Sequence, residues 1–195
     1  MAEIVVGIDP GFEGAIAALN LDGTFAWVRD MPVRGTEGRG RELDLLALVS
    51  LGREIAGSRV WCEWPTTRPG EAPESSKRFG VGMGQVEGVF AANDCTVTRL
   101  PPATWKMGLG LAGKARNPHD ARELAVAAAV RITGAPESEL RGPRGAPLDG
   151  RAEALLIAWY GYTGTVDGLR QLSLDAREAR LLLGNGKRRR GSYRG

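Results

Sequence analysis

A meander of three strands is predicted by residues 3–30, which read EIVVGIDPGFEGAIAALNLDGTFAWVRD. Residues 3–9 are rich in β-branched and apolar side chains, as is typical of a central strand, and a Pro-Gly pair ends the run. Residues 12–20 and 24–30 are predicted to be two further strands, because a turn-forming NLDG sequence separates them. The chain therefore begins with three consecutive strands.

Strands and helices alternate in the rest of the chain. Further strands are predicted at residues 59–64 and 95–100. Helices are predicted at 42–56, 75–92, 103–108, 148–162 and 173–183, and from Pro118 after the N-cap Asn117. Loops rich in glycine and proline are predicted at 66–73 and 108–118, and flexible ones at 35–42 and 133–147. This order predicts an α/β fold with a five-stranded mixed sheet flanked by helices.

The length and composition are those of one globular domain. The chain has 195 residues, of which 43% are hydrophobic and 25% charged. We expect a single domain over residues 1–184, followed by a disordered tail at 185–195. The tail is basic and has no acidic residue, so it either binds nucleic-acid phosphates or only aids solubility.

Composition also argues against several classes of protein. No segment reaches the ~20 apolar residues of a membrane span, and the N-terminus has no signal-peptide features. A cytoplasmic protein without membrane contacts is therefore expected. Two cysteines, Cys62 and Cys95, are too few for a disulfide framework. With His119 as the single histidine, any metal chemistry must rest on acidic residues.

Four carboxylates occupy positions where a bound cation would stabilise them. Asp9 and Glu63 each end an apolar strand, in EIVVGIDPG and RVWCEWP, where an unpaired charge is costly to bury. Asp149 and Glu153 lie four residues apart in LDGRAEALLIA and share one face of a predicted helix. Together their oxygens suit Mg²⁺ or Mn²⁺, and two such ions can promote phosphodiester cleavage. Singly, each is explained as well by a solvated charge, a helix cap at Asp149 or an arginine pair at Glu153.

Five motifs, taken in order, resemble a known family. They are GIDPG, WCEWP, MGQVEGVFAA at 83–92, LPPATWKMGLGLAGKA at 100–115 and DGRAEALLIA. Across most of residues 3–162 they are similar to the RuvC-type Holliday junction resolvases, and most of all to the shorter, divergent branch found in phages. The resemblance implies an RNase H-like fold and a homodimer that binds four-way DNA junctions. It also implies cleavage of two opposed strands with two Mg²⁺ or Mn²⁺ ions in each active site.

The resemblance also assigns roles to the four carboxylates. Asp9 matches the catalytic aspartate of the first strand, which both metal ions share, and Glu63 matches the second acidic residue. Glu153 is similar to the last acidic residue of the family, and Asp149 would be its partner on the helix. Bacterial members place these last two acids three residues apart, whereas this chain places them four apart. Both spacings put the two carboxylates on one helical face.

DNA contacts are expected from five further residues. Lys106 and Lys114 fall where the family places phosphate-binding lysines. Lys77, Arg78 and Phe79 lie at the start of the glycine-rich helix, and Phe79 is the candidate for stacking on an unpaired base. The family's own stacking position is occupied here by Thr66. Trp64 is the other aromatic candidate, but its alternation with Val60 and Cys62 indicates core packing.

Three alternatives remain open on the sequence alone. GIDPGFEGAIAAL also resembles the first phosphate loop of actin-like and sugar-kinase-like ATPases, but those proteins need a second related domain and this chain is short. A DNA-binding protein with a decayed site is disfavoured by the intact Asp9, Glu63 and Glu153. Another RNase H-like nuclease, with a different branched or hybrid substrate, fits the same residues.

Overall fold

A mixed sheet with helices on both faces forms the core of the protein. The structure is a computed structural model, which describes residues 4–36, 39–65 and 72–164. The strands are β1 (Ile4–Asp9), β2 (Ala15–Asn20), β3 (Phe25–Asp30), β4 (Val33–Thr36), β5 (Arg39–Leu43), β6 (Arg59–Glu63) and β7 (Thr96–Leu100). The helices are α1 (Leu45–Glu54), α2 (Pro73–Ala91), α3 (Pro102–Gly108), α4 (Pro118–Thr133) and α5 (Asp149–Thr163). A short 3₁₀ helix spans Glu137–Leu140.

The five-stranded sheet has the order β3-β2-β1-β6-β7. The first three strands form an antiparallel meander, whereas β6 and β7 run parallel to β1. The predicted fold class, a five-stranded mixed sheet flanked by helices, is therefore confirmed. The predicted helix at 173–183, the domain boundary at 184 and the basic tail lie outside the described residues. None of the described helices is long and apolar enough to cross a membrane.

Both faces of the sheet are covered, which explains why β1 and β2 are apolar throughout. Val5 of β1 packs on one side with α4 and α5, while Val6 and Ile8 pack on the other side with α1 and α2. This alternation follows from the period of two in a strand. Helix α5 is the central helix of its layer, since it contacts β1, β2, β3 and β6.

Helix α5 approaches the central strand unusually closely. A Cβ added to Gly7 of β1 would overlap the backbone of Ala154 and would lie 2.9 Å from the Cα of Ala158. Both alanines are fully buried on α5. The small residues on strand and helix thus let the two backbones touch, and this contact sets how far the acidic residues of α5 lie from the end of β1.

Two segments predicted to be flexible loops contain regular secondary structure among their described residues, so the loop prediction is wrong for those parts. Strands β4 and β5, at 33–36 and 39–43, pair antiparallel, with Val33 opposite Leu43. Gly35 and Gly40 adopt positive φ angles of 85° and 63°. Glycine here supplies a backbone conformation that other residues adopt at a cost, which is a different property from flexibility.

In the second segment, 133–147, Arg141 makes several polar contacts. Arg141 forms ion pairs with Glu123 of α4 at 2.8 Å and with Glu137 at 2.6 Å, and it donates to the carbonyl oxygen of Gly145 at 3.0 Å. Leu140 is fully buried beneath it. The segment was predicted to be mobile because it is rich in proline, glycine and charged residues, a composition that does not reveal these contacts.

Several helix boundaries also shift. Helix α1 begins at Leu45 instead of residue 42, because the Asp44 side chain accepts hydrogen bonds from the backbone N–H groups of Leu46 and Ala47. Helix α2 begins at Pro73, two residues before its predicted start. The predicted N-cap Asn117 is confirmed, since its side chain accepts from Asp120 N at 2.9 Å.

Candidate active site

Asp9 and Glu63 lie side by side at one edge of the sheet. Asp9 is the last residue of β1 and Glu63 is the last residue of β6. The two strands are parallel neighbours with Ile8 opposite Cys62, so the residues that follow these two occupy equivalent positions. Sites in such sheets form at the carboxyl ends of adjacent parallel strands. Two of the four predicted carboxylates are therefore brought together by strand pairing.

Helix α5 brings the other two carboxylates to the same edge. Asp149 is its first residue, and Glu153 lies one turn further along. The start of α5 lies against the loop that follows β1, because a Cβ on Gly150 would come within 2.8 Å of the Cα of Gly14. Both carboxylates are close enough to Asp9 for their charges to affect it. Arg151 further fixes this end of α5 by two hydrogen bonds to Asp30, at 2.6 and 2.8 Å.

Burial and crowding raise the pKa of both strand carboxyls. Burial, together with the charges of Glu153 and Asp149, raises the pKa of Asp9 to about 6, although the N–H of Gly11 donates to it at 3.2 Å. Burial and the charges of Asp9 and Glu153 raise the pKa of Glu63 to about 7, and its exposed fraction is only 8%. The free protein thus holds negative charge where the surroundings disfavour it, which is the electrostatic condition for cation binding.

Each carboxylate of α5 contacts a basic side chain. Glu153 accepts from Lys106 Nζ of α3 at 2.9 Å, and Asp149 accepts from Arg122 Nε of α4 at 3.1 Å. Asp149 does not cap the helix, because Leu148 is the N-cap residue. The pair at Glu153 is made by a lysine instead of an arginine. The simple explanations of these two acids, a helix cap at Asp149 and an arginine pair at Glu153, therefore do not match the structure.

Trp105 is a site residue that the sequence did not reveal. Its indole Nε1 donates to Glu63 Oε1 at 3.1 Å, and its side chain is fully buried. A buried tryptophan in a short helix usually serves core packing, so the only sequence signal for a role in the site was its position next to Lys106. The hydrogen bond restrains one oxygen of Glu63 and lowers the pKa of that carboxyl, against the larger effect of burial.

Replacing Trp105 with phenylalanine should test this restraint. The ring stays in the core but the N–H group is lost, so the pKa of Glu63 is expected to rise further. The pH at which Mn²⁺ binding is half-maximal should move to higher pH, and Mn²⁺ affinity should fall by roughly tenfold, a size typical of an outer-shell partner. Trp159→Phe in α5 is the matched control, and an unchanged pH profile in Trp105→Phe would contradict the restraint.

The donor chemistry of the site fits hard divalent cations. All four side chains offer carboxylate oxygens, which Mg²⁺ and Mn²⁺ prefer, and the pKa values of Asp9 and Glu63 show that positive charge would stabilise them. Among residues 4–36, 39–65 and 72–164, no three acidic, histidine or cysteine side chains are arranged as a ready metal-binding group. Glu153 and Asp149 face Lys106 and Arg122 instead.

The raised pKa values predict how the stability of the metal-free protein depends on pH. Between about pH 4 and pH 7 the folded state holds protons on Asp9 and Glu63 that the unfolded chain releases, so stability falls as pH rises through this window. The pKa of Asp30 is lowered by its hydrogen bonds to Arg151, so the stabilisation that this pair provides is lost only at lower pH.

Chemical denaturation in EDTA should therefore show a more stable protein at pH 5 than at pH 8. The expected difference is roughly 3 kcal/mol, since one pKa unit corresponds to about 1.4 kcal/mol and coupled groups do not add fully. Mn²⁺ at pH 8 should recover much of the loss. Equal stability at the two pH values would contradict the crowding of the carboxyls.

The predicted DNA-contact residues fall in three places. Lys106 lies in the carboxylate cluster. Arg78 and Phe79 of α2 line a cavity of about 400 Å³ together with Pro10, Gly11 and Phe12, which directly follow Asp9, and Lys77 lines an adjoining cavity. Lys114 lies in the exposed loop between α3 and α4, next to Arg116. The basic partners of the four carboxylates within the described ranges are Lys106 and Arg122, so the structure does not bring Lys114 to them.

Trp64 does not join the core with Val60 and Cys62, so that prediction is wrong. Strand β6 ends at Glu63, and Trp64 is half-buried with its ring centre 4.1 Å from the guanidinium carbon of Arg99. The alternation rule applies only within a strand, and Trp64 lies beyond its end. Thr66, the residue at the family's stacking position, lies outside the described residues.

Comparison with solved structures finds a similar fold. The structure of T. thermophilus RuvC in complex with Holliday junction substrate has a TM-score of 0.53 and 20% sequence identity, and the match covers 84% of this chain and 97% of that chain. A second Thermus thermophilus RuvC structure has a TM-score of 0.46 and 19% identity, with 83% and 97% covered. No protein-family model and no curated protein matches the sequence. The predicted resemblance is thus confirmed for the fold: this chain has the RNase H-like fold of RuvC.

Proposed function

We propose that this protein is a metal-dependent endonuclease that resolves four-way DNA junctions by paired symmetric nicks. The observation that carries the proposal is the carboxylate cluster at the ends of β1 and β6 and the start of α5. The cluster lies beside a cavity whose lining includes two aromatic rings, Phe12 and Phe79, together with Arg78 and Glu74. A RuvC with the same fold has been solved with Holliday junction substrate, which supports junction DNA as the ligand.

Asp9 is the central acidic residue in this proposal. The charges of Glu153 and Asp149 act on it, and it acts in turn on Glu63. It is therefore the natural residue to be shared by two Mg²⁺ or Mn²⁺ ions, with Glu63, Glu153 and Asp149 as the other ligands. When bound, the two ions would polarise the scissile phosphate and lower the pKa of the attacking water.

The other residues of the site hold these groups in place. Trp105 orients Glu63 through the indole hydrogen bond, and Lys106 supplies positive charge beside the phosphate. No histidine is needed as a base, and His119, the single histidine, is exposed at the start of α4. The proposed chemistry thus needs carboxylates, the divalent ions that they hold, one lysine and water.

Two adjoining cavities give a path for a DNA strand. The first, of about 400 Å³, begins at Pro10 beside Asp9, and the second, of about 320 Å³, continues along α2 to the β4–β5 hairpin. They share Phe12, Glu74, Arg78 and Gly82. Phe79 adds a second aromatic ring to the first cavity, and in the second the basic Lys77 and Arg41 outnumber the acidic Glu42. Stacking surfaces combined with basic side chains are typical of sites for unpaired nucleic acid.

Phe79→Ala should weaken binding of a four-way junction. Loss of one stacked base costs ~1–3 kcal/mol, so the dissociation constant should rise roughly tenfold or more. Fluorescence anisotropy with a labelled junction, in Asp9→Asn protein and Ca²⁺ to prevent cleavage, measures the effect. Leu124→Ala removes a partly exposed apolar side chain on α4 and serves as the control. Equal affinities for the two variants would exclude Phe79 as a stacking residue.

A homodimer belongs to the proposal because two opposed strands must be cut. A two-fold dimer presents two identical sites and matches the symmetry of a four-way junction. Light scattering at micromolar concentration, with and without junction DNA, tests it. A strict monomer under both conditions would contradict a paired-nick mechanism.

Cleavage of a panel of labelled substrates tests the proposed function. The panel contains a four-way junction, a flap, a linear duplex and an RNA/DNA hybrid, each with Mg²⁺ or Mn²⁺. The proposal predicts that the junction is cut far faster than the others. Cleavage of the hybrid but not the junction would overturn it in favour of another RNase H-like nuclease, and ATP hydrolysis without cleavage would overturn it in favour of an ATPase.

A further inference from the structure

One ammonium group already occupies the carboxylate cluster. Lys106 Nζ lies 2.9 Å from Glu153 Oε1 of α5. Its charge also lowers the pKa of Asp9 at the end of β1 and of Glu63 at the end of β6. One side chain thus interacts with carboxylates from three separate elements, and it is only about a third exposed, at 36%.

The base of this lysine is held firmly. Trp105, the preceding residue, is fully buried and bonded to Glu63, and the Lys106 ammonium lies 4.9 Å from the centre of the Trp105 ring. The carbonyl oxygen of Lys106 accepts hydrogen bonds from the N–H groups of Leu111 and Ala112, at 2.8 and 3.1 Å. Only the flexible stem of Lys106 is therefore free to move, while its backbone stays next to the cluster.

The contact with Glu153 and cation binding at Glu153 compete for the same oxygen atoms. We infer that Lys106 is an internal counter-cation of the metal-free site, which a divalent ion must displace from Glu153 before it can bind there. Released from Glu153, the ammonium is available to the substrate phosphate beside the same cluster. The inference rests on the proposed function for two points only: that the site binds divalent ions, and that the released ammonium contacts the substrate phosphate.

Removal of Lys106 is expected to have opposite effects on metal binding and on cleavage. A lysine whose charge did not reach these carboxylates would leave metal affinity unchanged when removed in the absence of DNA. A competing lysine lowers metal affinity, so its removal should tighten metal binding while it weakens cleavage. Opposite signs for the two effects are not expected from general damage to the site, which would weaken both.

Titration of Mn²⁺ into the full chain without DNA, followed by electron paramagnetic resonance of the free ion, is the test. Lys106→Met keeps most of the length of the side chain and removes its charge. It should bind Mn²⁺ about tenfold more tightly than the unmodified protein, a modest effect that suits a partly exposed ion pair. Lys106→Arg should stay close to the unmodified protein, and Lys114→Met, in the neighbouring loop, should be unchanged. Equal or weaker binding by Lys106→Met would overturn the inference.

A second measurement needs no substitution and therefore does not depend on how a variant folds. The chain has four lysines, Lys77, Lys106, Lys114 and Lys187, so selective ¹³C labelling of the lysine ε-carbons gives a simple NMR spectrum. Titration with Mg²⁺ should shift and sharpen one of the four signals as the ammonium leaves Glu153. A spectrum that does not respond at saturating Mg²⁺ would also overturn the inference.

These outcomes are separate from those of the proposed function. Tighter Mn²⁺ binding by Lys106→Met would support the counter-cation role even if no junction were cut. Junction cleavage by the unmodified protein, together with unchanged Mn²⁺ affinity in Lys106→Met, would leave the proposed function standing and exclude the counter-cation role.

Discussion

Asp9→Asn is expected to lower junction cleavage on the order of 10³-fold while junction binding is retained. The substitution removes a carboxylate whose charge interacts with those of β6 and α5, and the loss of one preorganised electrostatic group in an active site typically costs 10²- to 10³-fold or more. Binding should persist because DNA affinity depends mainly on basic and aromatic side chains. Single-turnover cleavage and anisotropy binding with the same labelled junction measure the two effects.

The same substitution should make the metal-free protein more stable. Asparagine is neutral, so the repulsion among Asp9, Glu63 and Glu153 is reduced, while its side-chain oxygen can still accept from the N–H of Gly11. In EDTA at pH 8 we expect a gain of about 1–2 kcal/mol in the free energy of unfolding. The gain should vanish when Mn²⁺ is added, because only the unmodified site gains the full metal contribution.

Asp94→Asn is the matched control for both effects. Asp94 is exposed and has a positive φ of 59°, a conformation that asparagine also tolerates. Its replacement should change neither cleavage nor stability appreciably. A decrease in stability for Asp9→Asn in EDTA would contradict the electrostatic account of the site, and near-normal cleavage would remove Asp9 from the mechanism.

Gly7→Ala should have the largest effect on folding. The added methyl group would overlap the backbone of Ala154 and lie 2.9 Å from the Cα of Ala158, and backbone atoms cannot rotate away as a side chain can. Helix α5 would have to shift as a whole. We expect a loss of roughly 3 kcal/mol or more in the free energy of unfolding, at the upper end of overpacking effects.

A comparable substitution on an exposed helix should have the opposite sign. Gly84 of α2 has no atom within 4 Å of an added Cβ, so Gly84→Ala should stabilise the helix by about 0.5–1 kcal/mol. Urea denaturation of both variants makes the comparison. If Gly7→Ala were as stable as the unmodified protein, the close contact between β1 and α5 would be wrong.

Gly7→Ala also links packing to the site. Because α5 carries Asp149 and Glu153, a shift of this helix changes their distance from Asp9. Any folded fraction of Gly7→Ala should therefore bind Mn²⁺ more weakly than the unmodified protein. The distances between the carboxylates therefore depend on Gly7, which has no side chain.

The sheet and two of the four carboxylates were accessible from sequence. The apolar runs that end at Asp9 and Glu63 have the composition of buried strands, and parallel neighbours necessarily place their carboxyl ends at one edge. Asp149 and Glu153 share a helical face by their spacing alone. A local sequence pattern depends only on the residues that form it, so these predictions do not require knowledge of contacts with the rest of the chain.

Contacts between distant segments were not accessible in this way. Trp105 reaches Glu63 across 42 positions and Arg122 reaches Asp149 across 27, and no periodicity connects either pair. Glycine can indicate either a flexible segment or a backbone with a positive φ angle, and the sequence alone does not distinguish the two. Gly35 and Gly40 were interpreted as signs of flexibility, but they provide positive φ angles in a hairpin.

Mapping of the nicks in a synthetic four-way junction tests the central claim most directly. Each of the four strands is end-labelled in turn and incubated with the full chain and Mn²⁺, and the products are sized on a denaturing gel. The account predicts one cut in each of two opposed strands at symmetric positions, and no cut with Asp9→Asn. Cuts that persist in Asp9→Asn, or no cut in any strand despite bound Mn²⁺, would contradict it.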